Sequence, residues 1–306
     1  MERGNGKKAV VLSKTSVVLS DTGGVKKYGL NWHQYSLDPD HPLLTRLNHY
    51  DHRTTPSWDI HTGLEMGVIL KGTASRWQGP YKQTLTPGQV WLCNAWEPHG
   101  FCVEKSPVDL LLALFWPGGL AMAGAVDRVD YLYSFRLPAH SRPQAQTNAV
   151  KEKIIRLADE VLACANTSYG LQRQLLLVKL ILLELMAAGG PSRTDTDGPV
   201  NQDRIVPALK LVHDNPTRRV GLSEAAHACH ISPALLVRLF RAMMGVSFAD
   251  YARRRRLAAL ATELRCSEAK ISTLAGKYGF IDGPHLTRMF KSAFGITPSE
   301  YRRLPS

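Results

Sequence analysis

The sequence predicts a multi-domain chain of both α and β structure. An N-terminal β-barrel is backed by a helical hairpin, and an all-α C-terminal domain of two helix-turn-helix units follows. Three observations predict this. Short apolar segments alternate with turn signals from Trp58 to Val103. A helical period runs from Thr147 to Ala188. One motif recurs at a spacing of 50 residues across the last hundred positions.

The length of 306 residues is enough for two domains with cores of their own. The expected divisions are 1–145 for the barrel, 146–188 for the hairpin, 189–203 for a linker and 204–306 for the C-terminal domain. Charge divides along the same lines. Residues 201–306 carry 17 Lys and Arg against 8 Asp and Glu, so +9 of the net +12 belongs to the last third. All six tryptophans lie in the first 116 residues. The two ends should therefore have different partners.

The first twenty residues read as a loose arm and a strand. Ser13, Lys14, Thr15 and Ser16 interrupt the apolar stretch, and no small-residue cleavage pattern follows. The most apolar runs, Leu110 to Val126 and Leu171 to Ala188, are broken by Pro117-Gly118-Gly119 or carry Arg173, Lys179 and Glu184, so neither predicts a membrane span. The odd set of cysteines, Cys93, Cys102, Cys164, Cys229 and Cys266, lacks the close spacing of a thiolate metal site. Reduced thiols in a cytoplasmic protein are expected.

Within the barrel, Leu64 to Leu70, Tyr81 to Thr86 and Val90 to Cys93 read as strands, with Lys71-Gly72 and Pro87-Gly88 as the turns between them. The spacings His61-x3-Glu65-x6-Gly72 and Gly88-x10-His99 resemble the two cupin motifs, although Asn94 and Trp96 stand where the second motif has proline and glycine. In metal-binding cupins the resemblance implies a ligand set, here Asp59, His61, Glu65 and His99, and such donors suit Fe, Mn or Ni. The main expectation is no cofactor but a sensory pocket in the barrel mouth. Its candidate residues are Trp58, His61, Glu65, Arg76, Trp77, Trp91, Asn94, Trp96 and His99, a set suited to a sugar or a related polar metabolite. Some of the tryptophans could equally be core.

In the hairpin, Ile154, Ile155, Leu157, Val161 and Leu162 precede Leu171, Leu175, Leu176, Leu180, Leu183 and Leu185 at helical spacing, with a break near Asn166–Gly170. One face should pack on the barrel, and a second leucine-rich face can pack within the chain or against a second copy. The stretch AGGPSRTDTDGPVNQ that follows can neither hold a helix nor fill a core, and reads as the linker.

The repeat aligns Leu236-Val-Arg-Leu-Phe-Arg with Leu286-Thr-Arg-Met-Phe-Lys and continues to Tyr251/Tyr301 and Arg253/Arg303. Each copy pairs a short helix with a capped longer one. Leu222–Ile231 precedes Ser232-Pro233, and Ile271–Ala275 precedes Gly279 and the cap Asp282. His230 falls in the first turn, and His tolerates a positive φ better than branched residues do. Short helix, tight turn and long helix make the helix-turn-helix pattern, whose second helix enters the major groove.

The stretch Ile271-Ser-Thr-Leu-Ala-Gly-Lys-Tyr-Gly-Phe280, with Leu286–Lys291 and Gly295-Ile-Thr-Pro-Ser-Glu-Tyr-Arg302, closely resembles the signature of AraC-type transcriptional regulators over roughly Arg204 to Arg303. An N-terminal cupin is a common arrangement among them. The resemblance implies two helix-turn-helix units joined by a long helix, about Phe248 to Leu264, with a structural role for Arg256.

DNA-facing positions are then Ser232, Ala234, Val237, Arg238 and Arg241 on the first recognition helix, and Gly283, Pro284, His285, Thr287, Arg288 and Lys291 on the second. Arg238 and Arg288 can contact guanine O6 and N7, a phosphate or an acidic side chain. The run Arg253–Arg256 points around a helix, so only one or two of its members can face DNA together.

The expected protein is a cytoplasmic, non-enzymatic, sequence-specific regulator of transcription. Its partners would be double-stranded DNA, a small-molecule effector such as a sugar, a second copy of the chain and, if it activates, RNA polymerase, with no membrane. The competing expectation is a metal-dependent cupin enzyme fused to a DNA-targeting domain.

Overall fold

The computed structural model describes residues 11–303 apart from 22–23, 34, 36, 79–80, 190–201, 245 and 295. The expected N-terminal arm and most of the expected linker lie outside the described residues. Eight strands come first: β1 (Val11–Asp21), β2 (Gly24–His33), β3 (Leu43–Tyr50), β4 (Ser57–His61), β5 (Leu64–Gln78), β6 (Tyr81–Leu85), β7 (Val90–Cys93) and β8 (His99–Phe115). All pairings are antiparallel except that of β2 with β4, which is parallel.

Two long strands organise the barrel. The first half of β5 pairs with the last half of β8, Leu64 opposite Phe115 and Ile69 opposite Leu110. Its second half pairs with the start of β8, Ala74 opposite Val103 and Gln78 opposite His99. Between the halves the register shifts repeatedly, and Gly72 takes φ 81°. A Cβ there would lie 2.2 Å from the Pro107 carbonyl oxygen. Bulges of this kind let a strand turn from one layer into another. One layer is therefore β3, β8, β5 and β7, and the other is β1, β2, β4, β8, β5 and β6. The turn expected at Lys71-Gly72 is thus a bulge inside one continuous strand, because Gly72 lets the ladder bend without ending.

Apolar side chains of both layers, among them Met66, Val68, Ile69, Leu111, Ala113 and Phe115, are buried. Helices α1 (Pro117–Asp127), α2 (Tyr133–Arg136), α3 (Asn148–Ala163) and α4 (Gly170–Gly189) follow. Thr147 caps α3 by accepting the Val150 N–H. Ile154, Ala158 and Val161 of α3 and Val178, Ile181 and Leu185 of α4 are buried, and Leu176 is exposed on α4. Gln174 joins α4 to the barrel by donating to Thr45 Oγ1 at 2.6 Å.

The remaining helices are α5 (Val206–Asp214), α6 (Leu222–Ala228), α7 (Pro233–Met244), α8 (Phe248–Cys266), α9 (Ile271–Lys277), α10 (Gly283–Phe294) and α11 (Pro298–Arg302). The sequence repeat is a structural repeat. Leu236 and Leu286, Phe240 and Phe290, and Tyr251 and Tyr301 are all buried at equivalent positions. Ser247 caps α8 through the Asp250 N–H at 3.1 Å, and Thr297 caps α11 through the Glu300 N–H at 3.2 Å, again 50 residues apart. Among the described residues no helix is long and apolar enough to cross a membrane.

Gly67 on β5 lies under the indole of Trp91 on the paired β7. A Cβ at Gly67 would come within 1.9 Å of the Trp91 ring. Overpacking of this kind costs about 1–3 kcal/mol. Gly67→Ala should lower the free energy of urea unfolding by that amount and shift the tryptophan emission; an unchanged unfolding midpoint and emission would contradict this packing.

Candidate effector cavity and nucleic-acid interface

Between the two layers lies a cavity of about 240 Å³ with polar walls. Its lining comes from alternate residues of several strands: Arg46, Asn48 and Tyr50 from β3, Asp59 and His61 from β4, and Leu110 and Leu112 from β8. Glu65, Arg76, Trp91, His99 and Phe101 line it as well.

Glu65 is the hub of this lining. The Arg76 guanidinium pairs with Glu65 Oε1, which also accepts the Trp91 indole N–H at 2.7 Å. His61 Nε2 lies 2.9 Å and His99 Nε2 3.7 Å from Glu65 Oε2. All four side chains are buried. Burial works to raise the Glu65 pKa, but Arg76 and the two imidazoles outweigh it and hold the carboxyl well below its ordinary range. Burial pushes both His61 and His99 down, with Arg76 adding to the effect at His99. The cluster is thus a carboxylate, a guanidinium and two neutral imidazoles. Asp59 turns away from it to His33 Nε2 at 2.9 Å. Cys93, beside Arg76, has its thiol pushed up to about 12 by burial.

The cluster also bears on a metal. His61 Nδ1 lies 3.1 Å from the Gly63 carbonyl, and His99 Nδ1 lies 2.8 Å from the Glu97 carbonyl. A neutral ring has one N–H, so if His61 donates to Gly63 its Nε2 lone pair faces a carboxylate oxygen. Imidazoles tied to carbonyls through Nδ1, with Nε2 aimed at a shared point, are the usual second-layer support of metal ligands. His61, Glu65 and His99 present donor atoms within 4.8 Å of one another. These three fit a divalent ion, which would act there as a Lewis acid. Asp59, in its pair with His33, leaves the expected four-ligand set.

The expected cavity residues divide. His61, Glu65, Arg76, Trp91 and His99 line the cavity. Trp58 packs on the Gly100 backbone, where a Cβ would lie 3.0 Å from its ring. Trp77 lies against Lys82 at 5.0 Å. Asn94 accepts the Ala95 N–H within a turn. Trp96, at φ 65°, faces a separate crevice with Arg254. Sequence reasoning did not find His33, Tyr35, Arg46, Asn48, Tyr50 and Phe101.

The helical domain presents two similar outward faces. Ser232, Ala234, Val237, Arg238 and Arg241 are exposed on or beside α7, and Pro284, Arg288 and Lys291 on α10. Gly283, His285 and Thr287 are half-buried. Ser232 and Asp282 cap the two helices through the Leu235 and His285 N–H groups. The His285 ring accepts the Ile281 N–H at 3.3 Å and packs on Phe280, so it braces the turn. The turns themselves carry His230 at φ 52° and Gly279 at φ 66°.

The arginine run is largely committed inside the protein. Arg253 pairs with Asp250, Arg254 lies 5.9 Å from the Trp96 ring, and Arg255 lies 3.4 Å from His213. Arg256 donates to the carbonyls of Tyr278 and Gly279 at 2.9 and 3.0 Å, which ties α8 to the second turn.

A helix-turn-helix domain family matches residues 225–304. Over 95 residues the chain is 37% identical to the transposon Tn10 TetD protein of Escherichia coli, covering 31% of this chain and 69% of TetD. Over 94 residues it is 33% identical to the HTH-type transcriptional activator AarP of Providencia stuartii, covering 31% of this chain and 70% of AarP. The chain belongs to the AraC-type family of transcriptional regulators. A solved structure of ToxT from Vibrio cholerae is also similar, at a TM-score of 0.48 and 15% identity, covering 87% of this chain and all of that one.

As an AraC-type regulator the chain binds DNA, and α7 and α10 are the second helices of its two helix-turn-helix units, the position that enters the major groove in this motif. Arg288→Ala should weaken binding by about 1–3 kcal/mol and relax preference at one base pair, as expected for a bidentate reader; equal weakening on all sequences in a salt titration would reassign the residue to phosphate.

The cavity cluster should make folding stability depend on pH. The histidines and Glu65 all have lowered pKa values in the folded state, so the unfolded chain takes up protons first as pH falls. With respect to this cluster, stability should be flat between about pH 7 and 8, decline as pH drops through 6.5 and decline again below about 4.5. Urea midpoints of metal-stripped protein across pH check this, with His61→Asn shrinking the first decline; an undiminished first decline would place its source outside the cluster.

Proposed function

We propose that this AraC-type regulator answers to a small-molecule effector held in the barrel cavity. In this reading 1–145 senses, 146–188 supports dimerisation and 204–306 reads DNA. Leu176 and Leu180 are exposed on α4, which suits an apolar seam with a second copy. Activation would add RNA polymerase as a partner. The polar and aromatic lining suits a sugar or sugar acid.

The observation that carries the reading is a short physical path from cavity to DNA-binding helices. The Trp96 N–H donates to the His61 carbonyl at 2.8 Å. The Trp96 ring meets Arg254 of α8, and Ile60, next to His61, joins Met289 of α10 in the same crevice. Glu97 holds this loop by accepting from the Asn94 N–H and from Arg142. Arg136 of α2 donates to the Met243 carbonyl near the end of α7. Movement of β4 at the cavity would thus reach both recognition helices, and an effector that favours one arrangement shifts its population.

A second reading, a metal-bound cavity with chemistry of its own, is favoured by the two imidazoles converging on Glu65. Elemental analysis of the purified chain separates the two: stoichiometric Fe, Mn or Ni that is lost on changing His61 and His99 favours the metal.

The regulator reading predicts that a thermal-shift screen with sugars, sugar acids and aromatic metabolites finds a stabilising compound. That compound should change the affinity for DNA from the regulator's own upstream region, measured by fluorescence anisotropy. In Trp96→Ala the compound should still bind while the change in DNA affinity is lost. A compound that acts equally on both proteins would remove this path from the mechanism.

A further inference from the structure

Among the described residues, one cation of the cavity lining, Arg46, has no carboxylate paired with it. The cavity's two acids are both occupied, Glu65 by Arg76, Trp91 and His61, and Asp59 by His33. Arg46, on the opposite wall, has no carboxylate within 4 Å among the described residues. It contacts the Tyr35 ring at 6.0 Å and the Tyr35 hydroxyl. Its Nε is buried without a hydrogen-bond partner.

Position makes this informative. On β3 the cavity face carries Arg46, Asn48 and Tyr50, while Leu47 on the opposite face of the same strand is 54% exposed. A strand packed for stability alone would point leucine inward and arginine to water. Here the arrangement is inverted, and a half-buried guanidinium is kept against Leu112, its cross-strand partner. A partly desolvated, unpaired charge is destabilising until an ion of opposite sign meets it.

Resting on the reading of this cavity as an effector site, we propose that the effector is a small organic carboxylate whose anionic group pairs with Arg46. A guanidinium can grip a carboxylate through two parallel N–H donors. Tyr50, Phe101, Leu110 and Leu112 supply apolar and aromatic wall for the rest of the molecule. A volume of about 240 Å³ lies below the usual range for drug-sized ligands, which selects a compact molecule. Asn48 and His33 Nδ1, the latter buried and without a partner, can meet a hydroxyl.

The test uses the full chain and two matched pairs, glucuronate with glucose and phenylacetate with phenylacetamide, each pair differing chiefly in charge. At least one carboxylate should raise Tm by about 2–5 °C at millimolar concentration, while its neutral partner does not. Arg46→Met should abolish that shift without lowering the Tm of the unliganded chain, because it removes an unanswered charge while keeping bulk. Arg46→Lys should retain part of the shift.

If neither carboxylate moves Tm, or if Arg46→Met keeps the full shift, the proposal is overturned. An equal shift from a neutral partner also overturns it, but leaves the cavity standing as an effector site. A fall in the unliganded Tm of Arg46→Met would make Arg46 a structural residue and overturn it as well.

Discussion

A carboxylate buried inside an apolar barrel must be surrounded by donors, and the way Glu65 acquires them explains the shape of the barrel around it. Glu65 and Arg76 are eleven residues apart on one strand, which if straight would separate them by about 36 Å. The bulged bend at Gly72 folds β5 back so that Arg76 reaches Glu65 from the other layer. Trp91 comes from β7, His61 from the end of β4 and His99 from the start of β8. Bend and ion pair therefore support each other: without the bend the carboxylate would lack its strongest partner, and without the pair the bend would leave a charge stranded. The cost of that burial is borne by an arrangement that also opens the cavity, since polar side chains held on each other cannot close over the space beside them.

Arginine is used in a different way at each level of the chain. Arg76 neutralises a buried acid, Arg142 holds the loop that carries Trp96, and Arg256 ties α8 to the turn before α10. The planar fork of the guanidinium suits all three, because each demands several N–H donors in a fixed direction. The net +9 of the last third consequently overstates the charge available to DNA. With Arg253, Arg254, Arg255 and Arg256 largely engaged within the protein, the exposed cations on the recognition helices are Arg238 and Arg241 on α7 and Arg288 and Lys291 on α10. Few exposed cations are therefore offered by these two helices.

The helical half was legible in the sequence because its determinants are local. Caps and a 3.6-residue period act over a few residues, and the 50-residue repeat showed a capped second helix twice, at Ser232 and at Asp282; the paired caps Ser247 and Thr297 emerged with the structure. The barrel was legible as alternating strands, but its cavity was only half so. Glu65, His61 and His99 stood out through motif spacing. Arg46 did not, because which face of β3 turns inward depends on the bent strand β8 beside it, and Leu47 outward with Arg46 inward reverses the usual rule; His33 and Tyr35 did not, because the parallel pairing of β2 with β4 is what brings them to His61. Trp58, Trp77 and Trp96 drew attention as aromatic candidates, yet Trp58 and Trp96 are placed by partners distant in sequence, Gly100 and Arg254, and Trp77 by its hairpin neighbour Lys82. Gly72 read as a turn because a glycine of positive φ looks the same in a turn and in a bulge; only the ladder on both sides tells them apart.

Trp96 shows why such non-local placements matter for function. A bulky residue in the left-handed region is strained and persists only where its surroundings fix it. Here those surroundings include both halves of the protein: a hydrogen bond to the His61 carbonyl on the barrel side and the Arg254 guanidinium on the helical side. Neither contact is strong alone. The guanidinium stands 5.9 Å from the ring, at the outer edge of the range over which a cation is held by an indole. Weak, shared contacts suit a joint that must have two arrangements of similar free energy, because a ligand can shift an equilibrium only by its differential affinity for the two states, typically 1–3 kcal/mol of coupling. A large apolar interface at this point would lock the helices in place. The contact between the halves here is instead an open crevice of about 430 Å³ lined by Ile60, Trp96, Arg254 and Met289.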